Sequence, residues 1–104
     1  MACKLYKTIF RKKVQINIHQ WTIETSERYG EVDCYMFSFP WVHEYNRTYV
    51  DRMSSGPLTR YDTAEQAIKG AEKYLKEHLN SGQWDMYTIL KCQRDFDRRI
   101  FQLF

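Results

Sequence analysis

The stretch from Asp62 to Gly82, DTAEQAIKGAEKYLKEHLNSG, constrains the fold more than any other part of the chain. Ala64, Ala67, Ile68, Ala71, Tyr74, Leu75, His78 and Leu79 recur at i, i+3, i+4 and i+7, which gathers them into one apolar stripe. Glu65–Lys69 and Glu72–Lys76 are i, i+4 pairs in the favourable order on the other side. Thr63 with Gln66 has the spacing of a capping box, and Asn80 to Gly82 are the small or αL-tolerant residues on which helices end. The spacing predicts a helix over about 63–79. A stripe this rich in alanine fills space only against large side chains, which a sheet face can supply.

Two segments have the period of such a sheet. In VQINIHQWTIETSE, Val14, Ile16 and Ile18 alternate with Gln15, Asn17 and His19. The apolar parity then changes to Trp21 and Ile23, so a bulge is expected near His19–Gln20. SERYGE, with Gly30 able to take positive φ, reads as a turn into the second strand, EVDCYMFSFPWV, which the short connection makes antiparallel to the first. Alternation sends Tyr35, Phe37, Phe39 and Trp41 to one face, and packing against the helix is the favoured role for that row. Pro40 cannot donate to a ladder, so regular pairing is expected to stop just before Trp41. RTYVDRM has the character of a short further strand. At the C-terminus, Ile89, Cys92, Phe96, Ile100 and Leu103 follow a helical stripe. A helix is expected from about residue 93, and residues 85–91 fit strand or helix.

Together these give an α+β fold: a small antiparallel sheet of three to four strands, the 63–79 helix packed on it, and a C-terminal helix. At 104 residues the chain is expected to be a single domain, 1–104, able to bury a core without metal or disulfides. The strand turns and RYDTAEQAIKGAEKYL resemble many small sheet-plus-helix domains, including the arm-type DNA-binding domains at the ends of some integrases. That likeness assigns no site residue.

Charge is unevenly placed on a chain of net charge +3. Residues 1–14 contain Lys4, Lys7, Arg11, Lys12 and Lys13 and no acid. About residues 1–13 are expected to form a basic, mobile end. Three cysteines, an odd number with no CxxC pair, fit a reducing compartment. The absence of an apolar run of signal-peptide or membrane-spanning length agrees, and a cytoplasmic location is expected.

Catalytic patterns are missing class by class. His19, His43 and His78 have no Cys or His at ligand spacing, so no metal is expected. There is no GxSxG elbow, and with four glycines neither GxGxxG nor GxxxxGK[ST] occurs. No cofactor and no enzymatic activity are expected. The expectation is a non-enzymatic protein–protein interaction module, an adaptor or small inhibitor-type protein that binds a larger intracellular partner. Trp41, Tyr45, Arg47 and Tyr49 are its candidate anchors, with Arg52 as rim charge. The alternative is nucleic-acid binding through Lys4, Lys7, Arg11, Lys12 and Lys13, with Arg98 and Arg99. A third reading is a self-associating homodimer built on the C-terminal segment.

Overall fold

A computed structural model describes residues 2–24, 30–42, 44 and 59–102; the side chains at 2, 24 and 99–102 lie outside that description. Three strands, β1 (Ala2–Arg11), β2 (Val14–Glu24) and β3 (Glu31–Ser38), form an antiparallel sheet in the order β1-β2-β3. Among the described residues two long helices follow, α1 (Ala64–Asn80) and α2 (Met86–Gln102). The fold is a small α+β arrangement, as the periodicities predict. RTYVDRM lies outside the described residues. No helix among the described residues is long and apolar enough to cross a membrane.

The basic segment expected to be mobile is strand β1, a correction to the sequence reading. It pairs with β2 through a two-residue turn in which Lys12 and Lys13 both take positive φ, 51° and 68°. The turn lacks the Gly or Asn that usually announces this geometry, and nearly all of β1 is exposed, so no apolar alternation marks the strand.

Val14, Ile16 and Ile18 are fully buried under the helices, with Ile9 and Phe37 beside them on neighbouring strands. Farther along, the same face of the sheet turns polar. Gln20 and Thr22 donate to the two oxygens of Asp33, at 3.1 and 3.0 Å. Trp21 and Ile23 therefore belong to the opposite face, and β2 pairs with β3 without a break from Asn17 to Glu24. The irregularity expected at His19–Gln20 lies across from it, in β1: Leu5 pairs with His19 and Lys7 with Ile18, so Tyr6 is the extra residue.

Helix α1 begins as its capping residues direct. Thr63 Oγ1 accepts from the Gln66 N–H at 3.2 Å, and Gln66 Oε1 accepts from the Asp62 N–H at 3.1 Å. Ala64, Ala67, Ala71 and Leu75 are buried against the ring row of β3. Tyr61 exchanges two backbone hydrogen bonds of 2.8 Å with Tyr35, which places it on the outer edge of β3. Its ring lies against Gly70, where a Cβ would collide with it.

Helix α2 starts at Met86, which settles residues 85–91. Asp85 supplies the cap: its two oxygens accept from the Thr88 N–H at 3.0 Å and the Thr88 hydroxyl at 2.7 Å. Trp84 precedes the helix and is buried, whereas Tyr87 is exposed; this is why neither falls on the apolar stripe.

Candidate functional site

Trp41 is not at the surface. It is 0% exposed and sits in a ring cluster with Phe39, Tyr74, His78 and Trp84. Phe37, Phe39 and Trp41 continue one row, each ring 5.6 Å from the next. The chain leaves the sheet after Ser38, as Pro40 predicts, but it folds inward, with the Val42 N–H bonded to the Phe39 carbonyl at 3.1 Å. Trp41 is thereby removed as an exposed anchor. Tyr45, Arg47, Tyr49 and Arg52 lie outside the described residues.

The basic candidates are brought together. Lys4, Lys7, Arg11, Lys12 and Lys13 are all exposed along β1 and its turn. Arg98 is exposed on α2, and the Arg99 side chain is outside the description. The turn is held firmly. The Gln93 side chain accepts from the Gln15 N–H at 2.7 Å and donates to the Lys13 carbonyl at 2.8 Å, tying the hairpin to α2. Arg11 Nε meets Glu72 Oε1 at 3.1 Å, tying it to α1. Between the turn and α1 opens a groove of about 310 Å³, lined by Arg11, Lys12, Glu72, Leu75, Lys76 and Leu79. Glu72 is its one acid, and that acid is paired with Arg11.

Among the described residues β1 is an edge strand, and nothing pairs with its outer side. A two-residue turn makes Arg11 and Val14 the closing hydrogen-bonded pair, and antiparallel pairs alternate from there. Phe10 and Thr8, opposite Gln15 and Asn17, therefore direct their backbone groups to the open side; beyond the bulge, so does Leu5, opposite His19. The same alternation leaves the Gln15 N–H free of β1, and Gln93 takes it. At the turn end the Phe10 carbonyl is occupied by Arg11 Nη1 at 3.0 Å. Leu5 and Phe10 are 56% and 57% exposed, apolar groups interleaved with the lysines.

Elsewhere the chemistry is sparse. His19 Nε2 lies 2.8 Å from Ser38 Oγ on the sheet face away from the helices, a contact that sequence spacing could not reveal. Burial lowers the His19 pKa, so the ring is neutral near pH 7. A nucleophile–base pair also needs a group orienting the second ring nitrogen, and among the described residues none bonds Nδ1. The Cys92 thiol is pushed up by burial, with Asp95 and Glu44 adding to the effect, the opposite of what a nucleophilic thiolate requires. No group of three or more metal-ligating side chains occurs among the described residues.

No family model matches the chain, and neither the curated proteins nor the solved structures contain a significant match.

Proposed function

We propose that the protein is a non-enzymatic interaction module that binds a larger protein, and that its binding surface is the basic open edge formed by β1 and the Lys12–Lys13 turn. The observation that carries this reading is the state of β1: a strand that is an edge among the described residues, with exposed apolar side chains interspersed among its cations and no described element beside it. A purely structural edge is normally short or covered. The turn adds support. Two lysines in left-handed backbone cost about 1–2 kcal/mol each relative to glycine, and local strain of this sort is retained where the side chains serve something besides folding.

Nucleic-acid binding through the same five cations is the second reading, favoured by their clustering on one ordered hairpin. Exposed Leu5 favours a protein instead, because phosphate contacts have no use for an aliphatic neighbour. The two readings separate in one experiment: a photo-crosslinking side chain placed at Phe10 in living cells, with Glu77 on the exposed side of α1 as control. Protein adducts specific to position 10 are expected. Nucleic-acid adducts there would favour the second reading, and equal labelling at both positions would refute both.

A further inference from the structure

We infer that the partner docks by strand addition: an extended acidic segment, with acidic and apolar side chains in alternation, pairs with the open side of β1 as a fourth strand. This rests on the interaction-module reading and names its mode and partner chemistry.

Two independent features of β1 dictate that pattern. The backbone groups of Leu5 and Thr8 and the Phe10 N–H point away from β2 with no partner among the described residues, which is the template a strand needs. The side chains of β1 are sorted by face. Lys4 and Lys7, opposite Gln20 and Ile18, lie on the helix side; Leu5, Thr8 and Phe10 lie on the far side. A strand laid alongside places its own side chains about 4.5–5.5 Å from these. Its helix-side positions beside Lys4 and Lys7 therefore meet ammonium groups, those nearer the turn meet Ile9 and the Glu72-paired Arg11, and its far-side positions meet Leu5 and Phe10. Carboxylates suit the first set and aliphatic side chains the second. The Arg11 guanidinium on the Phe10 carbonyl closes the ladder at the turn, so the added strand ends there. Beyond that point Lys12 and Lys76 rim the groove beside α1 and extend the positive field. A second copy of β1 would set lysines opposite lysines, which is unfavourable on one face of a pair. A polyphosphate chain would use the cations and ignore the backbone.

The probe is a short synthetic peptide in which Glu and Val alternate. Its binding is measured by fluorescence anisotropy at low salt, and amide exchange on the protein is read by NMR. Binding is expected, with exchange at Leu5, Thr8 and Phe10 slowed by about tenfold or more, the factor equivalent to about 1.4 kcal/mol. N-methylation of one alternate set of peptide amides should abolish binding, and methylation of the other set should be tolerated. A Lys–Val peptide should not bind. Thr8→Pro removes an outward N–H at a kind of site where edge strands accept proline, and should weaken the Glu–Val peptide comparably. Should that variant fail to fold, the methylated peptides test the same bond on the unaltered protein. Binding indifferent to N-methylation, binding without protection of those three amides, no binding, or tighter binding of a single-stranded oligonucleotide each overturns strand addition. Protein crosslinks at Phe10 alongside such a result would leave the module reading standing; loss of both would end it too.

Discussion

The indole of Trp41 lies edge to face against that of Trp84, with ring centroids 5.0 Å apart and planes at 79°, and Phe39 stands 5.6 Å from each. Trp84 in turn stacks on His78 of α1 at 4.2 Å. The segment leaving β3, the end of α1 and the start of α2 therefore converge on one aromatic cluster. Trp41→Ala should cost about 3–5 kcal/mol of stability, the range for emptying a large buried ring site. Urea denaturation measures it. A loss below about 1 kcal/mol, the scale of an ordinary surface substitution, would mean that the indole is not packed as described.

Gln93 is the link between α2 and the hairpin, because its amide satisfies both the Gln15 N–H and the Lys13 carbonyl. Gln93→Ala should destabilise the protein by about 0.5–1.5 kcal/mol, the net contribution of hydrogen bonds whose groups water can partly reach. It should also accelerate exchange of the Gln15 amide ahead of the rest of β2. Uniform acceleration across the sheet would show that Gln93 acts on global stability alone.

Asp85 caps α2, and its hydrogen bonds from the Thr88 hydroxyl and then the Thr88 N–H hold its pKa below the ordinary 3.8. A carboxyl with a depressed folded pKa contributes stability above its unfolded value and loses it as pH falls through the folded value. Asp85→Asn keeps an acceptor but cannot titrate. The stability advantage of the parent over this variant should be full near neutrality and shrink as pH falls from about 5 towards 2. An advantage that stays constant over that range would exclude Asp85 as the titrating cap.

The Lys12–Lys13 turn sacrifices stability. Lys12→Asn with Lys13→Gly supplies the residues that this turn geometry prefers. The double variant should be more stable by about 1–2 kcal/mol, the relieved left-handed strain less the unfolded-chain entropy that glycine adds, and should bind the acidic peptide less tightly. Greater stability with unchanged affinity would place these two lysines outside the docking surface.

Sequence periodicity reached the helix-covered half of the molecule and not the open half. α1 was legible because its stripe, its Thr63 cap and its Ser81–Gly82 exit all agree, and Val14, Ile16 and Ile18 because only one face of that stretch is buried. The start of α2 escaped because its signal is a single capping pair, Asp85 and Thr88, flanked by a buried Trp84 and an exposed Tyr87 that blur the period. β1 escaped because a strand that buries only Ile9 carries no binary pattern, and its basic composition resembles that of a free end. Trp41 was misplaced for a physical reason as well: Pro40 does end the ladder, but a chain leaving a sheet can turn toward the core as readily as away from it. The five basic residues were identifiable by charge; that they line one ordered edge was not.

The account stands on β1 being a formed strand with an open outer side. Amide exchange in the free protein reads this residue by residue. Ile9 and Arg11, bonded to β2 by the alternation from the turn, should exchange slowly, while Leu5, Thr8 and Phe10 exchange near the rate of an unstructured peptide. Fast exchange at all five would show a mobile end and no edge at all, and slow exchange at all five would show an edge already occupied by the chain itself.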